Sequence, residues 1–361
     1  MAEKVRRGLP TSPAGRSANG EGVFGFLGQD MAVDLGTANT LVYRQGEGIV
    51  FNEPTVVAMN PSSGKVEAMG DEAWQMIGGR SGNVVALRPL RHGVMTEFDI
   101  TQRMIEVVLR RVGVSRFPKP RVLACVASES SEVERRAVRE AVRFAGGRDV
   151  VLVEEPLAAA IGARLPIHEP IGNLIVDIGG GMTEMAVASM GGVVSGGSTR
   201  IGGFDLDAAI QVHMRREYDV AIGEKSAEEI KIAIGSAFPV PRGRAAIVTG
   251  RALATGAPTE IRVTEDEIRQ ATSEPVQQIV EATRRTIAEA PPELTHDVLE
   301  AGMFLTGGGG LLRGLDLLLS QECEVPVHLT DRPLETVVLG LGAMLEHLDD
   351  YRTSFQLVRK R

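Results

Sequence analysis

Residues 174–187 read LIVDIGGGMTEMAV, and residues 31–42 read MAVDLGTANTLV. Each is an apolar run closed by an aspartate, then a glycine turn, a threonine and a second apolar run. Short apolar runs bounded by glycine read as strands, so each segment is a hairpin whose turn carries an acid, Asp34 or Asp177. The repeat of one pattern at equivalent places in two halves points to a duplicated α/β unit.

The glycines strip side chains from the turn and expose successive backbone N–H groups, which together form an anion-binding concavity. Gly36, Thr37, Ala38 and Asn39 are the phosphate-loop candidates of the first turn. Gly179, Gly180, Gly181 and Thr183 are those of the second. Bare aspartates beside phosphates would repel them, and a divalent cation resolves the conflict. Mg²⁺ keeps several waters, accepts a few carboxylates and bridges phosphates. Asp34 and Asp177 are therefore expected on the Mg²⁺ side, acting through water, and the two loops together imply a nucleoside triphosphate. One such turn is a weak signal; two at matching places are a strong one. There is no GxxxxGK[ST] and no GxGxxG opening a helix after the first strand, so neither a P-loop nor a dinucleotide fingerprint is present.

A third glycine run, GGGG at 307–310, follows MFLT and precedes LLRGLDLLL. Glycine permits very close approach of backbone to a flat ligand, so Gly307, Gly308 and Gly309 read as a platform under the nucleoside.

The chain has 361 residues, 43% hydrophobic and 24% charged, which suits a globular protein of two domains. A formal charge of −8 argues against a generic grip on nucleic acid. The two cysteines and six histidines show no metal-ligand spacing. No window approaches a transmembrane helix, and the first residues lack the apolar run of a signal peptide. A cytoplasmic protein that touches the membrane from inside is expected.

Each half opens with hairpins and then alternates helices with strands. Residues 1–30 are expected to be a flexible arm ending in the apolar VFGFLGQ. Residues 31–160 and 161–335 form the two domains, each with a small subdomain, and 336–348 form a helix returning to the first. Residues 349–361 are a basic tail. Helices are expected over 101–112, 131–145, 205–218 and, continuously, 264–290. Ser131 and Glu134 have capping-box spacing, as do Thr264 and Glu267.

DLGTANT, FNEP, VERRAVREA, EEPLAAAIG, DIGGG, RIGG, EEIKIAIGSA and LTGGGGLLRGLD, in this order, resemble the bacterial actin homologues of the MreB/Mbl cell-shape family. The resemblance spans residues 23–348. It implies an α/β actin-like fold of the actin, Hsp70 and sugar kinase superfamily, with two duplicated RNase H-like domains around a nucleotide cleft. It implies ATP or ADP with Mg²⁺, slow ATP hydrolysis, and self-assembly into paired protofilaments on the inner face of the cytoplasmic membrane. The family organises wall synthesis with membrane proteins of the elongation complex.

By the same matching, Asp34 and Asp177 serve the metal and the chemistry, and Glu134 orients the attacking water. Glu228 and Lys231 flank adenine and ribose. Phe24, Phe26 and Phe117 would touch the bilayer, the last beside Arg110, Arg111 and Arg116. Bland readings stand beside these. Glu134 could simply complete its capping box, and Glu228 with Lys231 could be an exposed i,i+3 ion pair.

The sequence departs from the family at Ala127, Glu129 and Glu132, at His92 and Glu97, and at Met182. Those changes bear on hydrolysis more than on binding. A non-hydrolysing structural homologue is the main alternative. A chaperone-type ATPase is disfavoured, because nothing after residue 348 would make a substrate-binding domain, and no acceptor pocket or base for a small-molecule kinase is evident.

Overall fold

The computed structural model describes residues 30–77, 84–114, 119–239, 243–348 and 351. Phe24, Phe26 and Phe117, the N-terminal arm and most of the basic tail lie outside them.

In the first half β1 (Met31–Leu35), β2 (Asn39–Arg44) and β3 (Gly48–Pro54) form an antiparallel meander. A small lobe follows: β4 (Val57–Asn60), β5 (Lys65–Met69), α1 (Asp71–Met76), β6 (Val85–Leu87), β7 (Leu90–Arg91) and β8 (Val94–Met95). The chain then runs through α2 (Phe98–Arg111), β9 (Val122–Val126), α3 (Glu132–Phe144), β10 (Val150–Glu154) and α4 (Glu155–Gly162).

The second half repeats the plan. β11 (Asn173–Ile178), β12 (Thr183–Ser189) and β13 (Gly192–Thr199) make the meander. α5 (Gly203–Tyr218), β14 (Val220–Ala221), α6 (Glu224–Ile234), β15 (Ala245–Ala252), β16 (Pro258–Thr264) and α7 (Glu265–Ala271) build the second small lobe. Then come α8 (Ser273–Glu289), α9 (Pro292–Ala301), β17 (Met303–Thr306), a 3₁₀ turn at Gly308–Leu311, α10 (Leu315–Cys323), β18 (Val327–Leu329) and α11 (Thr336–Glu346).

The two main sheets have the same topology. The orders are β10-β9-β1-β2-β3 and β13-β12-β11-β17-β18, five strands each. In both, two parallel strands are added beyond the first meander strand. That placement puts β1 and β11 at the centres of their sheets, each fully buried, and both carry their aspartate toward the C-terminal end. Ligands bind outside the carboxyl ends of strands in sheets of this kind.

α4 and α11 hold the halves together. Both pack into one apolar cluster with Ala32, Leu123 and Val153 of the first sheet and Ile175, Ala186 and Ala188 of the second. α4 is buried on nearly every side because its residues are almost all small or apolar. α11 also reaches β2 and β3: the Glu346 carboxylate accepts from the Gly46 N–H at 2.7 Å.

Three local readings differ from the structure. The expected helix 264–290 is two helices broken at Thr272, whose hydroxyl donates back to the Ile268 carbonyl at 2.9 Å. Such back-bonding competes with the helical ladder. α9 was missed because Pro291-Pro292 reads as a break, whereas proline fits the first helical position. α2 begins at Phe98, ahead of the expected Thr101.

Candidate functional site

The β1–β2 turn and the β11–β12 turn meet. A Cβ built on Gly180 would lie 2.6 Å from the Ala38 Cβ, and one on Gly181 would lie 2.8 Å from Thr37 Cγ2. Only glycine permits this contact, so the second loop's glycines serve the closeness of the two turns as well as their donors.

The loop carbonyls are held from behind. The Thr55 hydroxyl donates to the Gly36 carbonyl at 2.7 Å and the Thr55 N–H to the Ala38 carbonyl at 2.8 Å. The Gly203 and Phe204 N–H groups, at the start of α5, donate to the Gly179 and Gly180 carbonyls at 3.0 and 2.8 Å. His92 Nδ1 lies 2.8 Å from the Gly181 carbonyl, and the Gly93 N–H donates to Thr37 Oγ1 at 3.1 Å.

Above the turns is a cavity of about 680 Å³, large enough for a nucleotide. Asp34, Asp177, Glu155 and Cys125 line its inner end with Gly36, Thr37, Ala38 and Gly179–Gly181. Glu228, Lys231, Ile232, Gly307–Gly309, Leu311 and Leu334 line the rest. Ile232, Leu311 and Leu334 are exposed apolar side chains, which suit the faces of a planar base.

The four-glycine run has a steric explanation. Gly307 has φ 78°, and a Cβ there would collide with the Ile178 carbonyl and the Asp177 carboxylate. A Cβ on Gly309 would collide with the Ile178 side chain. The run presses backbone directly on the strand that presents Asp177.

Carboxylates crowd the inner end. Asp34 and Asp177 are buried. Burial raises the Asp34 pKa to about 6, against the hydrogen bond from the Cys125 thiol, 3.0 Å from Oδ1. Burial, then the charges of Asp34 and Glu184, raise Asp177 to about 8. Glu155 is pushed well above the carboxylate range by burial and by Glu184, Asp177 and Asp34. Glu184 is buried and accepts from the Ser128 N–H at 2.8 Å.

The matching family model, MreB/Mbl protein, covers residues 28–353. The cell shape-determining protein MreB of Escherichia coli is 47% identical over 331 residues, spanning 90% of this chain and 95% of that protein. Mbl of Bacillus subtilis is 44% identical over 325 residues, 90% of this chain and 98% of that protein. The chain belongs to the MreB/Mbl family. A crystal structure of MreB5 of Spiroplasma citri bound to ADP superposes with a TM-score of 0.85 at 31% identity, covering 90% of this chain and 98% of that one. At 20% identity a MamK double helical filament shares the fold, with a TM-score of 0.73. The fold of this MreB/Mbl homologue is thus actin-like, two similar α/β halves around a cleft.

Most of the expected site residues converge on the cavity, with two corrections. Thr183 does not face it: its buried hydroxyl donates to the Ile201 carbonyl at 2.8 Å. The Gly179 N–H is spent on the Met182 carbonyl at 2.9 Å, as a hairpin turn requires. Glu134 borders the cavity, and its carboxylate accepts from the Ser131 N–H and hydroxyl, both at 2.7 Å. Both bonds fall on Oε2 and hold the pKa below the usual value; they steady the side chain at the cavity's edge and engage one of its two oxygens.

Lys231 does not pair with Glu228. Its ammonium lies 2.8 and 2.9 Å from the Asp207 oxygens and donates to the Gly203 carbonyl at 2.9 Å. Glu129 and Glu132, expected to add charge beside a triphosphate, are exposed and off the cavity lining.

Glu155, Glu184, Cys125, Asp207 and Thr55 escaped the sequence reading. Only Glu155, in EEPLAAAIG, carried a signal: an acid at a strand-to-helix junction, directly after β10.

The carboxylate cluster predicts a pH dependence. Asp34 and Asp177 hold protons in the folded state that the unfolded chain loses near its ordinary carboxylate pKa. Their stabilising protonation is complete below that value and is lost as pH rises through the folded values, up to about 8 for Asp177. Nucleotide-free protein is expected to melt at progressively lower temperature from about pH 5 to about pH 8. Differential scanning calorimetry checks this; a flat or rising profile would contradict it.

Proposed function

We propose that this MreB/Mbl homologue is an ATP-dependent, filament-forming cytoskeletal protein that organises wall synthesis and cell shape, with slow Mg²⁺-dependent ATP hydrolysis. The observation that carries the reading is the contact of the two aspartate-bearing turns at the floor of one cavity. The relatives' printed description, cell shape-determining protein, supports the role. Structures of a 31% identical relative with ADP and with AMPPNP support the ligand.

Among the described residues no group of three or more His, Cys, Asp or Glu could hold a metal. The donor set fits Mg²⁺ held through water and phosphate: Asp34 and Asp177 are buried, mutually repelling carboxylates whose pKa is raised without a cation, and a hydrated dication would neutralise them. Bound there, Mg²⁺ would offset the negative charge of the phosphates.

Glu134 is the residue we assign to orient the attacking water. Its carboxylate borders the cavity, its capping bonds fix it there through Oε2, and a water needs only to be held and polarised by it. Glu155, on the same lining beside both aspartates, is the alternative. Backbone N–H groups of Gly36–Asn39 and of Gly180–Gly181 position the phosphates, so catalysis rests on positioning and charge stabilisation. Glu228, Lys231 and the Gly307–Gly309 platform hold the nucleoside.

Membrane attachment through Phe24, Phe26 and Phe117, paired protofilaments, and partners in a membrane-bound wall-elongation complex complete the proposal. No described helix is long and apolar enough to cross a membrane, so attachment would be peripheral there. Sedimentation and electron microscopy with ATP, with ADP and without nucleotide provide the test. ATP is expected to drive filaments that pellet with anionic vesicles. Monomers in all three conditions, with and without vesicles, would reject the reading.

A further inference from the structure

Arg88 follows β6 in the first half's small lobe, on the opposite side of the cleft from α5 and α6. Its guanidinium carbon lies 4.9 Å from the centroid of the Trp74 ring, in α1, and 4.1 Å from that of Phe204, in α5. One cation therefore sits between two aromatic rings, one from each half. Its Nε is 3.8 Å from Glu224 at the start of α6, and the side chain is only 13% exposed. Burial lowers its pKa, opposed by the charges of Glu224, Glu228 and Asp207.

Phe204 is not a free surface ring. Its N–H holds the Gly180 carbonyl at 2.8 Å, and a Cβ on Gly180 would come within 3.3 Å of its ring. The sandwich is thus one residue removed from the second phosphate loop. Glu228, a lining residue of the nucleoside end, and Asp207, which anchors Lys231, add charge on the same side.

We propose that Arg88 is a positioning residue that clasps the two halves across the cleft mouth and couples closure to occupancy of the Gly179–Gly181 loop. The inference rests on the nucleotide reading of the cavity. Stacking dominates the clasp. Glu224 is 59% exposed, and an exposed ion pair contributes little, whereas a desolvated guanidinium over aromatic faces contributes substantially. Arginine is needed because a planar cation can stack on two rings at once, which an ammonium cannot do equally well.

Trp74 is the chain's single tryptophan, so its emission reports the clasp directly. In the wild type, ADP with Mg²⁺ is expected to shift Trp74 emission to the blue as the sandwich tightens. Stopped-flow release of a fluorescent ADP should be about tenfold faster in Arg88→Ala, with the emission shift abolished. Arg88→Lys should fall between, and Glu224→Gln should stay within about twofold of wild type. Circular dichroism and melting curves establish that each variant is folded, and Arg88→Lys keeps the test valid if Arg88→Ala is not. Wild-type protein that binds ADP, with wild-type release and emission in folded Arg88 variants, overturns the clasp alone. Folded wild type that binds no nucleotide overturns both the clasp and the reading of the cavity.

Discussion

Glu134→Gln is expected to lower phosphate release about a hundredfold or more while nucleotide still binds. Glutamine keeps the shape of the side chain and loses the basic oxygen. It also weakens the capping box on Ser131, so up to about 1 kcal/mol of stability should go with it. Glu155→Gln is the matched comparison. Its carboxylate shares the lining with Asp34 and Asp177, and the change should lower turnover less than Glu134→Gln does. Single-turnover phosphate release, beside calorimetric binding of ATP, separates the two. Loss of turnover in Glu155→Gln with normal turnover in Glu134→Gln would move the water-orienting role to Glu155. Wild-type protein that binds ATP and releases no phosphate would instead establish the non-hydrolysing alternative.

Gly340→Ala is expected to destabilise the fold by about 3 kcal/mol or more. A Cβ there would collide with the Ala158 carbonyl oxygen, and one on Gly162 would collide with the Thr336 carbonyl. The obstacles are backbone atoms of a facing helix, so no rotamer change can relieve them. α4 and α11 would have to separate, and they carry the cluster that joins the two sheets. Chemical denaturation reads the loss directly. Gly243→Ala, where no described atom lies within 4 Å of the added carbon, should be near neutral. Equal stability of Gly340→Ala and wild type would mean that the helices do not pack this closely.

Parts of the site were legible in the sequence because their signals are local. A strand, an acid and a glycine turn lie within a few residues of one another, and the pattern occurs twice. The cap on α3 was legible for the same reason, as spacing along one helix. What the Glu134 carboxylate does was not, since a cap and a catalytic base have the same spelling. Lys231 illustrates the converse. An i,i+3 neighbour suggested Glu228 as its partner, but the nearer acid in space is Asp207, brought there by the packing of α5 against α6.

Sequence alone determined the duplication, the two aspartate-bearing hairpins and the family, because strand periodicity and turn chemistry are properties of contiguous backbone. Tertiary structure alone decided which carboxylates share a field, which glycines are required by a facing backbone, and that Arg88 lies between rings from opposite halves. Those outcomes depend on burial and on distances between segments far apart in the chain, and a carboxylate's proton affinity or a cation's stacking partner is set by neighbours in space.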